Sequence, residues 1–181
     1  VQGTGPTGAA DPAGKPATPA AGTDFPSDEE VRKQWPRFRG PDGSGVSAYT
    51  NVPTTWDGAS GKNILWKTKV PLPGHNSAIV WGDRVFLCGA DRDRREVYGF
   101  DAKTGKLLWT QPVAGPARPP AKPLELDEET NSGWSAPTMA TDGRRVFAIF
   151  PIGELVAFDL AGKPLWKKSF GVPVNSYGHS A

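Results

Sequence analysis

A single cysteine, Cys88, occurs in the 181 residues, which excludes an intrachain disulfide. With only two histidines beside it, the Cys and His spacings of a structural zinc site are missing as well. No window approaches the ~18 consecutive apolar residues of a membrane-spanning helix, and the first residues lack the basic-then-apolar order of a secretory signal. The chain begins at Val1, so a targeting or anchoring segment upstream is left open. A net charge of +2 gives no electrostatic case for nucleic acid or an anionic membrane surface as partner. Long helical periodicities are also missing. What is abundant is 22 glycines, 19 prolines and 7 tryptophans, the composition of a turn-rich all-β chain. Cys88 sits in the apolar run "RVFLCG" and reads as a buried thiol.

Of the first 23 residues, 19 are Gly, Ala, Pro or Thr. Such a segment buries too little apolar surface to offset a backbone ordering entropy of ~1–2 kcal/mol per residue. Residues 1–34 are therefore expected to be a flexible tether, with a short helix where Ser27 and Glu30 have capping-box spacing and Pro36 as its stop. Residues 35–181 form the folded part. From Asn63 onward, short runs rich in β-branched and aromatic residues alternate with Gly, Asp and Pro turn signals. Strands are predicted at 76–81, 84–88, 95–101 and 107–112, then at 135–140, 144–150, 154–159 and 164–170.

The runs repeat. "RVFLCGADRDRREVYGFDAKTGKLLW" ends at Trp109 and "RVFAIFPIGELVAFDLAGKPLW" ends at Trp166. Ser-Ala recurs at Ser77, Ser135 and Ser180, and Trp66, Trp109 and Trp166 are spaced 43 and 57 residues apart, the longer interval containing the Pro- and Glu-rich insertion 114–133. Four short strands in a unit of about 45 residues, closed by a tryptophan, is the pattern of a β-propeller blade. The prediction is an all-β partial propeller of about two four-stranded blades, with "NILWKTKV" (63–70) as the last strand of a preceding or ring-closing blade. Two blades cannot close a ring that takes ~4–8, so the chain reads as an N-terminal fragment that relies on further blades.

Asp101 and Asp159 are placed to accept hydrogen bonds from their own turns, and Gly105 and Gly162 to supply positive φ. Trp109 and Trp166 follow each turn and are positioned to pack against a neighbouring blade. These six residues read as repeated structure. No catalytic residue and no metal ligand is assigned.

The unit resembles the PQQ-type (quinoprotein-like) propeller repeat, whose consensus AxDxxTGxxxW is matched by "GFDAKTGKLLW" with Gly99 for Ala, and more loosely by "AFDLAGKPLW". "WPRFRGPDGSGVS" followed by "ILWKTKVPLPGHNSAIVWGDRVFL" is similar to the start of PQQ-binding-like repeat proteins of planctomycete-type bacteria, and the resemblance covers about 35–181. It implies an extracytoplasmic, periplasmic or cell-surface location. One branch of the family consists of BamB-type assembly scaffolds, which bind a protein or small ligand at a propeller face. The other consists of quinone-dependent alcohol and sugar dehydrogenases, which use PQQ and calcium, a catalytic aspartate and often adjacent cysteines. With one cysteine and no assignable Asp/Glu/Asn constellation, the scaffold reading is preferred, no cofactor is assigned, and PQQ and calcium belong to the alternative.

His75 and His179 each precede Ser-Ala ("GHNSA", "GHSA"), and Asn131 and Trp134 stand before the equivalent Ser135. That position begins the innermost strand of a blade. His75, Trp134 and His179 are therefore candidates to face the central channel, against the alternative of rim side chains satisfied by nearby backbone. "RDRRE" carries interleaved Asp91, Asp93 and Glu96 and reads as a solvated turn, not a nucleic-acid patch. "GPDGSG" lacks the lysine and helix of a phosphate loop and the alternating carboxylates of a calcium loop. It reads as a Pro-Asp-Gly turn with Trp35 and Phe38 available to pack on the first blade.

Overall fold

The computed structural model describes residues 25–91, 93–114 and 134–171. The expectations for 1–24, for most of the insertion including Asn131, and for His179 and Ser180 lie outside the described residues.

The described chain opens on α1 (Asp28–Arg32). The Ser27 hydroxyl accepts from the Glu30 amide while the Glu30 carboxylate accepts from the Ser27 amide, a reciprocal cap. Eight strands follow: β1 (Ile79–Trp81), β2 (Arg84–Ala90), β3 (Arg95–Asp101), β4 (Leu107–Pro112), β5 (Ala140–Thr141), β6 (Arg145–Ile149), β7 (Glu154–Asp159) and β8 (Pro164–Ser169). They make two four-stranded antiparallel meanders, β1-β2-β3-β4 and β5-β6-β7-β8. The sheets approach each other most closely at their first strands, as blades of a propeller do near the axis.

Each third-to-fourth strand turn is closed by its aspartate. Asp101 Oδ1 accepts from the amides of Lys103 and Thr104 (3.1 and 2.8 Å) and from the Thr104 hydroxyl (2.8 Å). Asp159 Oδ1 accepts from the amides of Ala161 and Lys163 (2.9 and 2.8 Å). Just past each turn the ladder slips by one residue, between Gly99 and Phe100 and again between Ala157 and Phe158, setting Trp109 opposite Gly99 and Trp166 opposite Ala157. The repeated bulge aims each indole in the same direction.

That direction is the next turn along the chain. Trp109 lies between Phe86 of its own blade and Phe158 of the next, with ring centroids 5.9 and 6.3 Å away. Its Nε1 donates to the Leu160 carbonyl (3.3 Å), and its ring covers Gly162 so closely that a Cβ there would come within 2.6 Å of the indole. Trp66 repeats the contact one blade earlier: Nε1 donates to the Ala102 carbonyl (2.9 Å), and a Cβ on Gly105 would meet the ring at 2.4 Å. Gly105 and Gly162 hold φ of 69° and 88°, so the glycine serves both the turn and the docking. Trp81 crosses the same seam onto Gly143, at 2.5 Å from a built Cβ. Around Trp81 and Trp109, Ile79, Phe86, Val97, Met139, Val146, Val156 and Phe158 form one core spanning both sheets, while Trp66 packs on a second cluster of Val85, Tyr98 and Phe100. Trp166, 38% exposed beside Phe147, has no described turn to cover.

Two strands depart clearly from expectation, while β2 runs to Ala90 instead of 88, β6 spans Arg145–Ile149 instead of 144–150 and β8 ends at Ser169 instead of 170. β1 starts at Ile79 instead of 76 and β5 spans only Ala140–Thr141 instead of 135–140, because the residues before them bond outward. Pro73 accepts from the Ala90 amide, and the His75 amide donates to Ser135 in the other sheet. Residues 64–70 have no ladder partner among the described residues, and Leu65 is 90% exposed. A strand is defined by its backbone partner, and the described neighbours of this segment meet it through the side chains of Trp66 and Val70.

Trp109→Ala is expected to destabilise the chain by about 3–5 kcal/mol, and Gly162→Ala by about 1–3 kcal/mol through overpacking and positive φ. Because the two residues share one contact, the double variant should lose clearly less than the sum in urea denaturation.

Candidate functional site

Of the channel-facing candidates, His75 and Trp134 are described, and they lie at the inner end of the seam, where "GHNSA" runs past "WSAP". The His75 amide donates to the Ser135 carbonyl (3.0 Å) and the Ser77 amide to Thr138 Oγ1 (3.0 Å). Asn76, not singled out from sequence, links the blades: its Nδ2 donates to the carbonyls of Cys88 and Ser135 (2.8 and 2.9 Å) and lies 3.0 Å from Ser135 Oγ. Asn76 Oδ1 is buried without a donor. Ser135 is fully buried and its hydroxyl donates to Cys88 Sγ (3.3 Å). The His75 imidazole is exposed at this rim, while Trp134 is half-buried and packs its ring on the seam core. Burial pushes the Cys88 thiol up to about 11, with the Ser135 hydroxyl opposing weakly, so a thiolate nucleophile is not available there.

The segment Gln34–Pro36 closes the inner edge. Trp35 pairs with Val80 through both backbone bonds (3.0 and 2.8 Å), and Gln34 Oε1 accepts from the Gly82 amide (2.8 Å). The Pro36 carbonyl accepts from the Thr141 amide (2.8 Å), so three consecutive residues touch the first strands of both sheets. The loop that follows is internally bonded: Gly40 and Gly45 amides donate to the Arg37 and Arg39 carbonyls, and Asp42 Oδ1 accepts from Ser44. Those Ser44 bonds hold the Asp42 carboxyl below its usual range. Phe38, expected to pack on the first blade, instead points to solvent, because the tight Arg37–Gly40 turn sends it outward.

A second polar cluster lies in the seam at the start of β3 and β7. Glu154 is 0% exposed, and both carboxylate oxygens and the nearby Arg95 Nε are buried without hydrogen-bond partners. Burial raises the Glu154 pKa, and the positive charges of Arg95 and Lys167 offset this only in part. Glu96 stands at the equivalent place one blade earlier and accepts from the Tyr98 hydroxyl (2.8 Å), which in turn accepts from the Leu72 amide (3.2 Å). The repeat "EVYGFD"/"ELVAFD" carried the signal for this position. In the charged turn, Arg94 pairs with Asp91 (2.8 Å).

Calcium takes 6–8 oxygen ligands, whereas among the described residues no group of three or more His, Cys, Asp or Glu stands close enough to hold an ion. Asp101 and Asp159 are committed to turns, and Trp134 has its ring on the core instead of open as a platform for a planar cofactor. The described residues therefore do not fit a calcium–quinone pair, and no step is derived through one.

Two meanders joined by tryptophan-on-turn docking define this chain as a PQQ-like β-propeller protein. The family model described as "Outer membrane protein assembly factor BamB" matches residues 34–176, and the chain belongs to that family. No curated protein matches. Among solved structures, a europium-containing methanol dehydrogenase is similar over 81% of this chain and 25% of its own, at 19% identity and a TM-score of 0.51. BamB from Moraxella catarrhalis is similar over 58% of this chain and 26% of its own, at 21% identity and a TM-score of 0.40. The chain thus spans about a quarter of each of these two proteins, and at these identities the likeness concerns the fold. No helix among the described residues is long and apolar enough to cross a membrane.

With a raised folded-state pKa, Glu154 favours the folded state most at acid pH, and this contribution is lost as pH rises through that value. Glu154→Gln should match the parent near pH 4 and become relatively more stable toward pH 7; thermal melts across that range check it. Cys88 in the native chain is expected to resist a thiol reagent at pH 8 and to react fully once urea unfolds it, as measured by reagent absorbance.

Proposed function

We propose that this chain is part of a PQQ-like β-propeller that serves as an extracytoplasmic binding or assembly scaffold, periplasmic or at the cell surface, without redox chemistry of its own. The observation that carries the reading is the use made of the seam's polar groups: Asn76, Ser77, Ser135 and Thr138 bond blade to blade, and the repeated aspartates close turns. Polar side chains spent in this way leave the outer faces and loops as the surfaces that meet a protein or small ligand. Membership in a family named for an outer-membrane assembly factor supports the same role. The alternative, the N-terminal part of a PQQ-dependent alcohol or sugar dehydrogenase, draws on the similarity in fold to a methanol dehydrogenase.

The complete protein, supplied with calcium and PQQ and assayed for dye reduction by alcohols and sugars, is expected to show no turnover above buffer. Turnover that requires PQQ would replace the scaffold with the dehydrogenase.

A further inference from the structure

Phe38 exposes 59% of its surface, and the Arg39 guanidinium lies over its ring, 5.5 Å from the centroid. Arg37 precedes it in the chain and is tied by Nη2 to the Pro41 carbonyl (2.6 Å). Arg39 holds φ of 60°, a conformation in which glycine is the ordinary occupant. Such strain persists only where surrounding structure enforces it, and it clusters at binding sites. Here the enforcement is visible: Trp35 and Pro36 are bonded to both first strands, and the Trp35 ring fills the space beneath Gly40, where a Cβ would come within 2.8 Å. The Arg-Phe-Arg tip is thus presented rigidly at the inner edge of two blades.

Behind the tip lies an open cavity of about 460 Å³, with Val31 and Val46 on its wall and Arg32 and Arg37 facing Asp28 and Asp42. Over residues 28–48 the cations Arg32, Lys33, Arg37 and Arg39 are balanced by Asp28, Glu29, Glu30 and Asp42, so the positive charge is local to the tip, where Arg37 and Arg39 bracket Phe38 in the chain. Lys33 is paired with Glu29, while Arg32 and Arg39 enter no ion pair among the described residues. An exposed aromatic ring between two arginines on a preorganised loop has the composition of an interface hot spot. Asp28 and Asp42 beside the tip oppose a continuous phosphate backbone, which favours a peptide with separated carboxylates over a nucleic acid.

We propose that Arg37, Phe38 and Arg39 form a docking point for an acidic, extended segment of a partner protein, with carboxylates on the two guanidiniums and an apolar side chain on Phe38. This rests on the scaffold reading and names the class of partner it would hold.

The test is fluorescence anisotropy of the protein with a short labelled peptide rich in Asp and Glu and carrying leucine, beside the same peptide with Asn and Gln instead. Binding to the acidic peptide alone is expected, weakened ~10-fold or more by Arg39→Gly and by Phe38→Ala and unchanged by Lys106→Gln in the turn between β3 and β4. Arg39→Gly relieves the positive φ, so its melting temperature should hold or rise while binding falls, separating lost contact from lost fold. Equal binding of the amide peptide, no effect of Arg39→Gly, tighter binding of a single-stranded oligonucleotide, or self-association that Arg39→Gly abolishes would each overturn the proposal. Dye reduction by the complete protein would remove the scaffold reading alone, and absent peptide binding without dye reduction would remove only this docking point.

Discussion

An indole laid across a glycine in the following blade is the contact on which the rest of the chain depends. Trp109 reaches Leu160 and Gly162, and Trp66 reaches Ala102 and Gly105 in the same way. Several local features serve this contact. The aspartate-closed turn offers a carbonyl at a fixed height, glycine leaves room for the ring at positive φ, and the bulge beside Gly99 and Ala157 rotates the tryptophan to the face that needs it. A ring between Phe86 and Phe158 then continues the core from one sheet into the next. Each sheet alone would expose that face, so the blades stabilise one another rather than folding as independent units.

Polar chemistry in the seam is subordinate to the same docking. Near the axis it takes the form of Asn76, Ser77, Ser135 and Thr138, whose bonds run between blades, those of Asn76 partly buried and that of Ser77 exposed. Toward the opposite end the arrangement is less settled, since Glu154 and Arg95 face each other with buried atoms that no hydrogen bond satisfies. A buried carboxylate in that setting costs stability when ionised, which makes the seam sensitive to pH. The Gln34–Pro36 segment adds a third fastening, binding the first strands of both sheets and holding the Arg-Phe-Arg tip outward.

Most of the blade architecture was legible in the residues because its signals are local and repeated. Asp101 and Asp159 with their glycines fall at matching offsets from Trp109 and Trp166, and the strand-length apolar runs between them mark the ladders. Strand starts were less legible. In 135–139 the local sign against a strand is Pro137, which cannot donate to a ladder, whereas nothing local distinguishes 76–78 from strand and their diversion is decided by acceptors just before β5. Phe38 likewise carried the pattern of a packing aromatic, and a turn closed three residues on sent it to solvent. Asn76 gave no sign of its role, since an asparagine beside a histidine looks the same whether it bridges blades or lines a rim.

The amino-acid sequence by itself determined the all-β class, the repeat length, the turn residues and the family, because each of these follows from propensities and spacings within some forty-five residues. Only the tertiary structure decided which turn each tryptophan covers, that Glu154 is buried without a hydrogen-bond partner, and that Gln34–Pro36 straps the inner edges of both sheets. The physical reason is that these outcomes depend on partners tens of residues away. Burial and hydrogen-bond satisfaction are properties of the assembled seam, and no single stretch of chain carries them.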